Sequence, residues 1–355
     1  MLKSRLCIAF FAFAVGCAPA QKPLTDYVNP MLGTATLWDS VDLGFKPTKR
    51  TWGAEVFPGS SLPNAMVQVS PVTKFHSGAG YQYEDSVIYG FTHTNKGHWN
   101  LCHIPLLPVT GTPTPGDYCS PFSHERESAA PGYYQVFLDR YGVDAQLSST
   151  LRCAFHKYTY PAGAAASLLA DLQRSNEHVR AWDIRKEGDN VFAGWQQTGE
   201  KMYFYAVANR PVTGIEPVVE GDREVRIVRF GEGDGALELR IGFSFVSEKN
   251  ARENLEAEML GKSFAEVRSE ATATWNDLLG RIRVEGGTER EKGLFYSSLY
   301  RSFLWPALRS DVNGEFTDVD GKVINPGFRY YTGPSYWDDY RNKLILLGML
   351  APDVA

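Results

Sequence analysis

The sequence predicts a mainly β, then α, protein: an N-terminal β-sandwich followed by helices. Three observations lead there. From Tyr27 to about Ser247, apolar residues recur at every second position in short runs separated by Gly- and Pro-bearing turns. Near residue 250 the period becomes helical, in Ala-, Glu- and Leu-rich stretches free of internal Pro. The chain has 355 residues, more than one average domain, so two folding units are expected. Hydrophobic residues make up 43% and charged residues 22%, which excludes a disordered chain and a multi-span membrane protein. Lys and Arg number 36 against 41 Asp and Glu, a net charge of -5, and no basic cluster points to a nucleic-acid partner.

Residues 1–20 form a signal segment. Lys3 and Arg5 precede an apolar run from Leu6 to Gly16, short against the roughly 20 residues that cross a bilayer. Ala18-Pro19-Ala20 fits a small-residue cleavage site. Ala14-Val15-Gly16-Cys17 also fits a bacterial lipobox with Cys17 as the lipidated residue, so export and a possible lipid anchor both follow, at the periplasm or cell surface. Of the five cysteines, Cys102, Cys119 and Cys153 lie beyond this segment, an odd number that allows one disulfide at most.

The sandwich is assigned to residues 21–247. Its clearest strands are Ala65–Val69 between Pro63 and Pro71, Tyr133–Leu138 after Pro131-Gly132, Val191–Gln196, Met202–Ala208, Val225–Phe230 and Leu237–Phe243. A helical linker covers 248–287, with helices over Asn250–Leu260 and Phe264–Leu279 and a short strand-like piece at Arg281–Glu285. A second helical unit opens at 288, where Thr288 and Glu291 have capping-box spacing ahead of Phe295, Leu299 and Phe303. Pro306 ends or kinks that helix. A last helix runs from about Trp337 through Leu344, Leu346, Leu347 and Leu350. Two or three helices cannot bury such faces alone, so residues 288–355 read as the beginning of a larger helical domain.

Three segments carry candidate chemistry. Gly90–His103 holds His93, His98, Trp99, Cys102 and His103. It reads as a sugar-binding loop, with Trp99 stacking on a pyranose and His93 and His98 bonding its hydroxyls, as a loop whose histidines bond the backbone, or as a metal site of unfamiliar spacing. Ser310–Gly321 alternates oxygen ligands around Gly314 but fails the EF-hand register, leaving solvated turns or a cation site. Tyr336-Trp337-Asp338-Asp339-Tyr340-Arg341 is either a pyranose clamp or an acidic helix start with Trp337 in the core.

Taken in order, these blocks resemble glycoside hydrolase family 92, the exported bacterial α-mannosidases. The blocks are Asp26–Thr34, Pro58-Gly59 with Leu62–Pro71, Gly90–Thr94, Ile104–Gly111, Phe295–Tyr300, Ser310–Gly314 and Trp337–Arg341. The resemblance implies a β-sandwich, a linker and an (α/α)6-barrel, here incomplete at 288–355. It also implies calcium-dependent, inverting, exo-acting removal of terminal α-mannose from N-glycan- or mannan-type glycans. By resemblance Asp338, beside Trp337, holds the terminal sugar, and the loop of His93, His98 and Trp99 reaches toward the leaving-group sugar. Where the family continues with a second His and a Ser-Gly run, this chain has Asn95-Lys96-Gly97-His98-Trp99. The catalytic acid and base and most calcium ligands are expected beyond residue 355, so no catalytic residue is assigned and this chain alone is expected to be inactive. An inverting pair stands about 6.5–9.5 Å apart, which the neighbours Asp338 and Asp339 cannot provide. The alternative is a non-catalytic glycan-binding surface lipoprotein.

Overall fold

A computed structural model of the protein describes residues 22–36, 44–45, 55–95, 101–233, 235–332 and 339–355. Two antiparallel sheets form the larger part. Among the described residues the first has seven strands, in the spatial order β1 (Ser60–Ser61), β2 (Gln68–Val72), β4 (Gly90–Thr92), β5 (Leu106–Val109), β11 (Ser167–Ala170), β16 (Arg223–Phe230) and β15 (Val212–Glu220). The second has eight: β12 (Ala181–Gly188), β13 (Val191–Gln197), β14 (Lys201–Ala208), β17 (Leu237–Ser244), β10 (Cys153–Thr159), β9 (Val143–Ser149), β8 (Tyr133–Leu138) and β7 (Glu127–Ala130). β3 (Val87–Ile88) and β6 (Ser120–Pro121) pair separately.

Alternation explains which side faces in. Val225 and Ile227 of β16 and Leu237, Leu239 and Ile241 of β17 are fully buried, while Arg226, Arg229, Glu238 and Arg240 between them are partly solvated. These inward residues join Phe91, Leu106, Tyr134, Leu168 and Phe204 in one core between the sheets. Each large apolar side chain so buried contributes about 1.5–3 kcal/mol.

Three helices follow the sandwich: α1 (Glu248–Glu258), α2 (Phe264–Leu279) and α3 (Glu289–Ser302). α1 lies directly on β17 because Gly242 has no side chain; a Cβ there would sit 2.1 Å from the Ala251 carbonyl oxygen. Capping boxes open α2 at Ser263/Glu266 and α3 at Thr288/Glu291, as the sequence predicts for α3. Trp275 of α2, fully buried, donates from Nε1 to the Ser61 carbonyl at 2.7 Å and packs on Tyr300 of α3 at 4.4 Å. Beyond α3 come the two-residue strands β18 (Ala307–Leu308), β19 (Phe316–Thr317), β20 (Val323–Ile324) and β21 (Tyr331–Thr332), then α4 (Lys343–Leu350).

Several expectations need correction. Residues 22–29 lie on the helices, where Thr25 N–H donates to Asn276 Oδ1 at 3.1 Å and Asn29 N–H to Ser297 Oγ at 2.9 Å, whereas Met31 packs on the core between the sheets and Thr36 N–H donates to Glu84 Oε1 at 2.8 Å. β2 begins three residues later than the run from Ala65 and passes through Pro71, opposite Phe91. β1 reaches only as far as Val69, so it leaves the missing Pro71 N–H unneeded. Arg281–Glu285 forms no strand; Ile282 turns inward against the helical core, and Val284 N–H meets Tyr296 Oη at 3.2 Å. α4 runs from Lys343 and Asp339 ahead of it is also helical, while the start expected near Trp337 lies outside the described residues. The small strands β18 to β21 lie in and around Ser310–Gly321, which the sequence suggests as turns.

Candidate functional site

The Gly90–His103 segment is held at both stems. His93 N–H donates to the His103 carbonyl at 3.1 Å, and Cys102 N–H to the Thr94 carbonyl at 3.0 Å. Asn95 Nδ2 donates to the Gln68 carbonyl at 2.7 Å, and Thr94 Oγ1 meets His103 Nδ1 at 3.0 Å. His103 Nε2 reaches Thr198 Oγ1 at 3.0 Å and so ties the loop base to the β13–β14 turn. Residues 96–100, His98 and Trp99 among them, lie outside the described residues, as do Cys17, Trp337 and Asp338.

His93 differs from its expected place. Its ring is fully buried between the sheets, 4.5 Å from Phe243, with Nε2 3.0 Å from His156 Nε2. His156 Nδ1 in turn meets Tyr158 Oη at 2.6 Å. Burial pushes His93 down to about 3 and His156 well below the usual imidazole range, so both rings are neutral. The period-2 pattern of β4 continues through Phe91 and His93, which carries the histidine into the core rather than onto the loop. Its side chain is sealed from a sugar and packs in the core against His156 and Phe243.

Ser310–Gly321 also divides. Ser310 and Asp311 are buried, not solvated. Asp311 accepts from Ser244 Oγ at 2.6 Å, Asn250 Nδ2 at 2.9 Å and Asn254 Nδ2 at 2.7 Å. Burial raises its carboxyl pKa, and these donors oppose the rise. Asn250 and Asn254, one turn apart on α1, therefore clamp the later segment to the sandwich end. Beside them Arg152 Nε donates to the Ser310 carbonyl at 2.7 Å and its Nη1 pairs with Glu258 at 2.6 Å. The Asp318 turn is solvated as expected, its Oδ1 accepting from the backbone of Asp320 and Lys322. Both carboxylates are thus engaged by protein donors, and among the described residues no cluster of three His, Cys, Asp or Glu is arranged to hold a metal. These residues do not fit calcium.

Asp339 is buried and pairs with Lys343 Nζ at 3.0 Å, one turn on, ahead of α4. Tyr340 is exposed, and Arg341 Nε donates to its hydroxyl at 3.0 Å. Sequence reasoning missed the Arg152–Glu258 pair, the Asp311 hub and the His93–His156 contact. The four-residue spacing of Asn250 and Asn254 was the one local signal available.

The arrangement is that of a two-module protein: a closed antiparallel sandwich joined by capped helices to a helical module, with its candidate sugar segments at the seam. Family comparison makes this specific. The profile of the glycosyl hydrolase family 92 N-terminal domain matches residues 27–254, and that of the family 92 catalytic domain matches 250–355. The chain belongs to glycosyl hydrolase family 92. It is similar to the family GH92 α-mannosidase BT3965 of Bacteroides thetaiotaomicron, at TM-score 0.83 and 26% identity, covering 92% of this chain and 47% of that one. That enzyme is also known in complex with mannoimidazole. The inverting mannosidase BT2199 of the same organism gives TM-score 0.78 and 25% identity over 92% of this chain and 46% of its own. An uncharacterized secreted glycosidase of Arthroderma benhamiae is 24% identical over 344 residues, 81% of this chain and 42% of that protein. The chain thus spans under half the length of these relatives.

Proposed function

We propose that the protein is an exported, exo-acting α-mannosidase that removes terminal α-mannose from N-glycan- or mannan-type glycans with inversion of configuration. The observation that carries the reading is the pair of family matches in consecutive order, 27–254 and 250–355, on a fold that superposes on an α-mannosidase over 92% of the chain. In this reading 21–247 is the sandwich, 248–287 the linker and 288–355 the first part of the catalytic barrel. Asp338 accepts hydroxyl hydrogen bonds from the terminal mannose, with Trp337 beside it. Trp99 and His98 contact the leaving-group sugar. The acid and base come from sequence beyond residue 355, and so do the ligands of any calcium ion. Cys17 is the lipid attachment point, testable by mass spectrometry of the mature N-terminus.

The test is proton NMR of an aryl α-mannoside treated with the protein extended to the family's length. β-Mannose should form first. Early α-mannose would overturn inversion, and no release, with an α-glucoside or α-galactoside cleaved instead, would overturn the mannosidase reading. The 355-residue chain alone should release nothing above an empty-vector control, and measurable turnover would contradict its assignment as a non-catalytic part.

A further inference from the structure

A cavity of about 500 Å³ opens at the seam between the β13–β14 turn, the Phe245-Val246 step after β17 and the β19–β20 hairpin. Its size falls within the range of small-molecule sites, about 300–1,000 Å³. Tyr203, Phe245 and Tyr330 bring rings to its wall. Glu200, Lys201, Arg309 and Asp318 bring two charges of each sign. A net ion gains little from such a balanced wall. A ligand with an apolar ring face and a rim of hydroxyls uses both halves of it, and that is the chemistry of a neutral pyranose.

Arg309 shows that the wall is built rather than incidental. Its guanidinium lies 3.7 Å from the Phe245 ring, and its Nη2 donates to Glu200 Oε2 at 2.5 Å. Its Nη1 is buried without a partner, and burial lowers its pKa. A buried guanidinium with an unmatched donor is destabilising, and such local violations concentrate at functional positions. What it achieves is geometry. It fixes the ring and holds Glu200, 60% exposed, at the rim as an acceptor for hydroxyls. The other charges are engaged elsewhere: Lys201 sits 3.5 Å over Trp195, and Asp318 closes its own turn. The cavity also reaches the base of the Gly90–His103 segment, since Gly199 on its wall follows Thr198, the residue bonded to His103.

We infer that this cavity is a subsite for a neutral pyranose of the glycan beyond the sugar that is removed, with Glu200 accepting its hydroxyls and Arg309 as the positioning residue. The identity of the sugar rests on the mannosidase reading; the existence of the site does not. The test titrates the 355-residue chain with α-linked mannotriose, and with mannose 6-phosphate as the anionic probe, by calorimetry. Mannotriose should bind saturably and mannose 6-phosphate should not. Glu200→Gln, nearly isosteric at an exposed position, should weaken mannotriose at least tenfold with the melting temperature unchanged. Arg309→Lys should weaken it as much, and the double variant no further, because both act through one carboxylate. If Arg309→Lys fails to fold, Glu200→Gln decides alone. Absence of saturable mannotriose binding, equal affinity in Glu200→Gln, or preference for mannose 6-phosphate would overturn the inference. Mannoside hydrolysis by the extended protein with no binding here sinks the subsite alone. Binding without hydrolysis sinks the mannosidase reading alone.

Discussion

The interior of the sandwich and the seam where the helices meet it are built on different physics. Between the sheets the core is mainly apolar and closed: its two histidines are neutral and bonded to each other or to Tyr158, and its buried carboxylates, Asp171 and Glu127, are held by the core tyrosines Tyr118, Tyr81 and Tyr134. At the seam, the contacts that fix one element against another are charged and specific: Arg152 with Glu258, Asp311 with Ser244, Asn250 and Asn254, and Arg309 with Glu200. Apolar burial tolerates small displacements, whereas a hydrogen-bonded buried charge sets position closely. The seam is therefore where side-chain geometry matters most, and the base of the Gly90–His103 segment and the start of Ser310–Gly321 are both anchored beside it. The contrast continues to the end of the chain. α4 buries Leu347 and Leu350 yet leaves Ile345 62% and Met349 72% exposed, so its outer face is uncovered among the described residues.

The largest effect expected from this contrast is on acid stability. A histidine held neutral by burial takes up a proton more readily in the unfolded chain. The stability this contributes is complete above the unfolded value, about 6.5, and is lost as the pH falls toward the folded value of about 3 for His93. Denaturant melts should lose up to about 1.4 kcal/mol per pH unit for each such histidine across that window. His156→Gln should flatten the slope; an unchanged slope would place the proton uptake elsewhere. Next is the seam. Asp311→Ala leaves the amide donors of Asn250 and Asn254 facing an unfilled space, and should cost about 3 kcal/mol in urea unfolding. A loss below about 1 kcal/mol would mean that water replaces the carboxylate. In the extended protein, Asp338→Ala should lower kcat/KM at least about tenfold on every mannoside, since a charged acceptor for a hydroxyl contributes roughly 1.5–3 kcal/mol. Trp99→Ala should hurt disaccharides and spare an aryl mannoside, and equal losses would make Trp99 structural. The smallest effect is Thr288→Ala, which removes one half of the α3 capping box for about 1 kcal/mol.

The sequence made the sandwich legible wherever one face of a strand is solvated, because alternation then survives in the residues. β16 and β17 are the clear cases. It made α3 legible because a capping box is a local code. It failed where the determinant is distant. Pro71 looked like a strand boundary, yet the short reach of β1 decides that it can sit inside β2. The two-residue strands β18 to β21 have no period to read. Arg281–Glu285 has a strand's alternation but no neighbouring edge to pair with. At the site, His93 resembled its loop neighbours by type, and only its register with β4 shows that it points inward. Arg152 and Glu258 are 106 residues apart and share no motif. Family resemblance supplied what periodicity could not, since it reads the order of blocks rather than the pattern within any one of them.

Native-state hydrogen exchange on the 355-residue chain tests the contrast most directly. Amides of β10, β14 and β17 should exchange only through global unfolding, while those of Lys343–Leu350 should exchange at least about 100-fold faster through local opening. Equal protection of α4 and the central strands would contradict the account, because it would show the helical segment already closed without anything covering its apolar face.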